Sequence, residues 1–277
     1  MTKVIYDIGS NNGDDIPYYL QKADLVVAVE ANPVLCQQIR NRFSAEVAEN
    51  RLAIENIVVS NHDDHEVDFW IHETDDVLST MNQPCKDLTS YKLVRLPSKS
   101  IHNLIKQYGS PWYVKIDIEG ADELIVRQMF EIGVYPPFLS VEADSVQVLG
   151  VLLSLGNYRH FKLVDGASVH TRYTNAVISD KLNQRRSYTF PYHSAGPFGD
   201  DIDGEWMLPD VFTRYFALAG AGWKDIHVTN LPIDRVGDNY TELQDIHGVA
   251  SKWLVKVAMR RILNYVSWRF VSHFQKP

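Results

Sequence analysis

Leu25-Val26-Val27-Ala28-Val29 is five apolar residues in a row, and it ends in Glu30. A strand with one wet face alternates apolar and polar residues; an unbroken short run belongs to a strand covered on both faces. Similar runs recur at Val4-Ile5-Tyr6 before Asp7, at Trp112 to Ile116 before Asp117, and at Phe138 to Val141 before Glu142. Helical patterns separate them. Alternation at this spacing implies an α/β fold: a doubly wound, mostly parallel sheet with helices on both faces and right-handed crossovers.

The helices are expected over 16–23, from Pro33 to about Ala48, over 100–108, from Ala121, and over 145–155. Asn32-Pro33 supplies a favoured N-cap and first residue, and Gly109 a helix stop. Further strands are expected over 54–59, 66–72 and 158–164, with 73–97 as a long loop. From 165 to 245 the rhythm breaks into Gly, Pro, Asp and aromatic residues. This reads as an irregular insertion over the carboxyl edge of the sheet, with a last strand near Lys224 to Val228. Residues 1–250 form one domain on this reading, and 251–277 a separate C-terminal helix.

Charge narrows the partners. The chain carries 27 Lys and Arg against 35 Asp and Glu, a net charge of −8. Phosphate binding relies on clustered cations, so no nucleic-acid partner is expected. Six of the basic residues and none of the acidic ones fall in 251–277, leaving a body of charge −14. The two cysteines, Cys36 and Cys85, give no disulfide framework. With no secretory signal and no transmembrane run, a cytoplasmic location is expected.

In an open α/β sheet, ligands bind at the carboxyl ends of the strands. The first strand ends in Asp7-Ile8-Gly9-Ser10-Asn11-Asn12-Gly13. Gly9 and Gly13 let a ligand approach the backbone closely, and Asp7 and Asn11 make the turn polar. The Gly-x-Gly-x-x-Gly spacing of a pyrophosphate cradle is missing, which disfavours an NAD-dependent dehydrogenase. An acidic turn suits a ligand bearing ammonium and sulfonium charges. Glu30, ending the second strand, can accept both hydroxyls of a ribose.

These pieces, with Val29-Glu-Ala-Asn-Pro33, Val59-Ser60 and above all Val114-Lys-Ile-Asp-Ile-Glu-Gly-Ala-Asp122, resemble the FkbM-type methyltransferases. That family lies within the Rossmann-like class that uses S-adenosyl-L-methionine (SAM). The resemblance spans roughly residues 3 to 165. It implies a Rossmann-like methyltransferase sheet, SAM as cofactor, and methyl transfer to a hydroxyl on a sugar, glycan or natural product. It places the cofactor's amino acid end on the first turn, its ribose on Glu30 beside Asn32, and its adenine near Ser60, Asn61 and His62. Ser79 resembles a family serine near the cofactor. The chain begins almost on its first strand, which leaves open what covers the cofactor on that side.

A hydroxyl is a poor nucleophile at neutral pH and needs a base or a metal. Asp117, Glu119, Glu142 and Asp144 end adjacent central strands. Residues two apart point the same way in extended chain, so Asp117, Glu142 and Asp144 could hold a Mg²⁺ that acidifies the hydroxyl. Asp117 could instead act directly as base or cofactor contact, or together with Glu119 merely cap the following helix. His193 and His247 are the other candidate bases.

The segment 188–206 mixes Tyr188, Phe190, Tyr192, Phe198 and Trp206 with acids. It reads either as a platform for the acceptor's sugar ring or as a packed aromatic core under an acidic loop. The tail carries Val255, Met259, Ile262, Val266, Phe270 and Phe274 on one stripe with Lys252, Lys256 and Arg260 opposite. It could dock on the acidic body, lie on a membrane surface or join two copies. A SAM-binding scaffold without catalysis is the non-enzymatic alternative.

Overall fold

The computed structural model describes residues 2–233. Its strands are β1 (Val4–Ile8), β2 (Leu25–Val29), β3 (Leu52–Glu55), β4 (Val58–Val59), β5 (Glu66–His72) and β6 (Tyr91–Lys99), then β7 (Pro111–Ile116), β8 (Phe138–Glu142), β9 (His160–Asp165), β10 (Ala176–Ser179), β11 (Arg185–Tyr188) and β12 (Lys224–Thr229). Its helices are α1 (Ile16–Lys22), α2 (Pro33–Arg42), α3 (Ser44–Ala48), α4 (Ile101–Tyr108), α5 (Asp122–Glu131), α6 (Val146–Ser154), α7 (Val169–Arg172) and α8 (Pro209–Ala219).

Seven strands form one sheet in the order β3-β2-β1-β7-β8-β12-β9. All pair in parallel except β12, which runs antiparallel between β8 and β9. The doubly wound, mostly parallel Rossmann-like sheet expected from the alternation is what forms. Its strand order reverses between β1 and β7, the topological switch point where such sheets bind ligands.

The caps follow local chemistry. The Asn32 side chain accepts the Val34 N–H at 3.0 Å and Pro33 opens α2. Ser100 does the same for α4 at Asn103, and Gly109 closes it at φ +101°. The expected single helix from Pro33 to Ala48 is divided at Phe43 (φ −116°, ψ 34°), whose ring turns inward instead. The expected strand 54–59 is likewise two strands. At Asn56, the side-chain amide donates to the carbonyls of Glu30 and Ala31, which bends the chain out of the main sheet.

Residues 91–99, most of them within the expected loop 73–97, are the longest strand among the described residues, paired antiparallel with β5. Pro97 obscures it: a proline cannot donate to a ladder, yet it is tolerated near a strand end.

The two faces of the main sheet are covered differently. One face, with Tyr6, Val27, Val114 and Leu139, packs under α4, α5, α6 and α8 through Leu104, Ile125, Val148 and Phe212. The other face, with Ile5, Val26 and Tyr113, meets α1, α2 and the long connection from β9 to β12. That connection is more ordered than an irregular insertion: it holds α7, the hairpin β10–β11 and α8. It also lies on a sheet face as well as at the carboxyl edge. Phe198 stacks on Tyr113 at 3.8 Å and 9° and abuts Tyr18 and Trp112. Asp201 anchors it, accepting from Lys22 Nζ at 2.6 Å, the Tyr18 hydroxyl at 2.8 Å and the Ser179 N–H.

Phe190, Phe198 and Trp206 are therefore core residues, which favours the packed aromatic core of the two readings of this segment, while Tyr192 stays exposed. The packing of this segment also covers α1. Among the described residues no helix is long and apolar enough to cross a membrane. His247 and the basic segment 251–277 lie outside the described residues.

Candidate active site

A cavity of about 680 Å³ opens at the carboxyl ends of β1, β2, β7 and β8. Three turns frame one end. Gly9 sits at φ +88°, and a Cβ there would lie 1.8 Å from the Asp117 carbonyl oxygen, so only glycine lets the β1 and β7 turns meet. Glu30 is fixed by two backbone donors: Asn11 N–H reaches one carboxylate oxygen at 2.8 Å and Asn32 N–H the other at 2.7 Å. Each oxygen keeps a lone pair for a ligand hydroxyl. Burial pushes Glu30 up to about 7 against the pull of these bonds. Beyond it, Ile57, Val58, Val59, Phe69 and Met81 line an apolar slot.

The other end is acidic. Lys115, Asp117, Glu119 and Glu142 line it together with Asp15, and Tyr192, His193 and Trp223 form the facing wall. The strand register sets Asp7 beside Lys115, whose ammonium lies 4.0 Å from the Asp7 carboxylate and donates to Asp117 at 3.0 Å. Burial works against that ammonium, but Asp117, Asp7 and Asp15 hold its pKa well above the ordinary lysine value. Burial, then Asp117, pushes Glu119 up to about 7 and Glu142 up to about 9. Glu119 adopts φ +24°, a left-handed backbone in which Thr80 Oγ1 holds its carbonyl at 3.0 Å. Opposite, Asp15 accepts from the Ser194 hydroxyl and from the Ala195 N–H at 3.1 Å, which ties the 191–196 loop to the first turn.

Of the residues singled out in the sequence, Gly9, Asn11, Glu30, Ser79, Asp117, Glu119, Glu142, Tyr192 and His193 line this cavity. Others do not. Asp7 is buried beneath the turn against Lys115. Gly13, at φ +79°, closes the turn against Ile16, Ile39 and Phe43. The Asn32 side chain is used as a helix cap. Ser60 Oγ turns back onto the backbone of His62, and Asn61 is exposed, so the apolar slot is made by the residues just before them.

Asp144 is exposed, because β8 ends at Glu142 and the extended-chain spacing lapses there. Among the described residues no group of three His, Cys, Asp or Glu is arranged to hold a metal. With Asp117 paired to Lys115 and Asp144 off the cavity, the expected Mg²⁺ site of Asp117, Glu142 and Asp144 does not fit.

Sequence reading missed Asp15, Lys115 and Trp223 as parts of one site. Asp15 carried a faint signal, an acid just past the glycine turn at the start of α1. Trp223 carried none.

The chain matches no family model and no curated protein. Among solved structures it is similar to methyltransferase FkbM from Methylobacillus flagellatus KT: 15% identity over 59% of this chain and 40% of that one, TM-score 0.41. It is also similar to the tRNA methyltransferase TrmI from Aquifex aeolicus, at 9% identity over 83% of this chain and 63% of that one, TM-score 0.37. A third likeness is to the cyclase SpnF, at 7% identity over 60% and 56%, TM-score 0.35. This chain therefore spans well under half the length of the first of these. What the site does is argued from its own chemistry.

Proposed function

We propose that the chain binds SAM in this cavity and transfers its methyl group to a hydroxyl of a small molecule or glycan. The observation that carries the reading is the graded character of one cavity at the switch point. Its apolar slot suits an adenine, Glu30 suits the two ribose hydroxyls, and the acidic end suits a cationic amino acid and sulfonium.

When bound, SAM supplies a methyl electrophile whose S–CH₃ bond breaks as the acceptor's O–CH₃ bond forms, while the hydroxyl proton passes to a base. Glu119 and Glu142 face the acceptor side of the cavity. With Glu119 near neutrality in pKa, it can take up that proton at neutral pH. Lys115 holds Asp117 in place, so Asp117 is not a free base. The 191–196 loop presents His193 opposite, where it excludes water and orients the acceptor.

Calorimetric titration with SAM, S-adenosylhomocysteine and NAD tests the assignment. Saturable binding of the two adenosyl ligands and none of NAD is expected. Binding of NAD alone would overturn it.

A further inference from the structure

We propose that the acceptor carries a positively charged amine, recognised between Glu119, Glu142 and the aromatic wall of Tyr192, His193 and Trp223. The inference rests on the cofactor reading of the same cavity and adds the acceptor's chemical class.

Eight carboxylates line the cavity against one lysine, and that lysine is already paired with Asp117. Neither Glu119 nor Glu142 pairs with a basic residue among the described ones. Both are instead pushed toward protonation by burial and by Asp117. Bound SAM brings a net charge of only about +1, two cations against one carboxylate, and leaves Glu119 and Glu142 without a cationic partner, so an ammonium placed between them would favour their ionised forms. A phosphorylated or carboxylated acceptor finds no unpaired lysine or arginine among the lining residues.

The aromatic wall distinguishes a cation from a neutral acceptor. Tyr192 is 52% exposed and Trp223 is 42% exposed, yet both are held in place. The Trp223 ring lies over Gly166 so closely that a Cβ would sit 2.5 Å from the indole nitrogen. The backbone around it is clipped beside Glu142: Ala143 N–H donates to the Lys224 carbonyl at 2.7 Å, and Gly222 N–H to the Ala143 carbonyl at 2.9 Å. Tyr192 packs edge-on against His193 at 4.7 Å, and its ring centre lies 6.1 Å from that of Trp223. Ring faces beside carboxylates attract ammonium groups through the ring quadrupole.

The test uses the full chain saturated with S-adenosylhomocysteine. Benzyltrimethylammonium is titrated against its carbon isostere, in which a quaternary carbon replaces the nitrogen. The cation is expected to bind saturably and about tenfold or more tightly than the isostere. Trp223→Leu should remove most of that preference while S-adenosylhomocysteine binds as before, and Gly166→Ala, which displaces the indole, should do the same. Glu119→Gln should also weaken the cation. Equal affinity for the two probes, or no saturable cation binding to the S-adenosylhomocysteine complex, overturns this inference alone. Failure of S-adenosylhomocysteine to bind removes the cofactor reading and this proposal with it.

Discussion

The two ends of the cavity are built by different means. At the proposed cofactor end, two turns are held by backbone donors: Gly9 and Ser10 donate to the Val29 carbonyl, and Asn11 and Asn32 donate to the Glu30 carboxylate. At the proposed acceptor end, side chains from β7, β8, the 191–196 loop and the segment before β12 meet across long stretches of chain. Glu30 and Glu142 show the contrast. Both are strand-end glutamates, but Glu30 sits among donors, whereas burial and other acids press Glu142 up to about 9. One end is fixed by backbone, the other by charge and by whatever charge the ligand brings.

Gly9→Ala should break both ends at once, since Gly9 is where the β1 and β7 turns meet. A positive φ and a clash with the Asp117 carbonyl together cost about 4 kcal/mol of stability. Urea unfolding reads the loss, and a wild-type curve would show that the turns are not locked by this contact.

Asp201→Ala should separate the ends. It strands Lys22 and the Tyr18 hydroxyl in the covered face and costs about 3–5 kcal/mol. Asp201 does not line the cavity, so S-adenosylhomocysteine affinity of the folded variant should stay within about twofold. A large loss of affinity without a loss of stability would contradict the division.

Glu30→Gln should damage the cofactor end alone. Removing a charged acceptor of ribose hydroxyls costs about 1.5–3 kcal/mol of binding, roughly a 10- to 100-fold rise in Kd by calorimetry.

Glu142→Gln should give the smallest effect and one that depends on pH. Because its pKa in the fold is raised, the protonated form is favoured there; its contribution is full below the usual carboxylate range and is lost as pH rises through about 9. The wild type should therefore lose stability from about pH 5 to about pH 9, and the variant less of it. Allowing for solvent screening of a half-buried group, the gap at alkaline pH is roughly 1 kcal/mol. Parallel melting curves would refute this.

Legibility in the sequence follows the same division. β1, β2, β7 and β8, the glycine at the switch point and Glu30 are local patterns, each readable within a dozen residues. The counter-charge role of Lys115 becomes visible only through its register with Asp7. Residues 188–206 gave no period because their partners are Tyr18, Tyr113 and Phe138, far away in the chain. The apolar slot proposed for the adenine lies a residue or two before Ser60 and Asn61: Val58 and Val59 face the cavity, while Ser60 turns back onto His62. Asp144 failed for a related reason, a strand that ends two residues before the spacing argument needs it to.

The bond between Tyr18 and Asp201 joins residues 183 positions apart. On a ribosome adding about 5–20 residues per second, Tyr18, Tyr19 and Ile5 wait roughly 10 to 40 seconds before the segment that covers them has been made. Through that interval the nascent chain presents an uncovered aromatic surface, the kind of surface that chaperones bind.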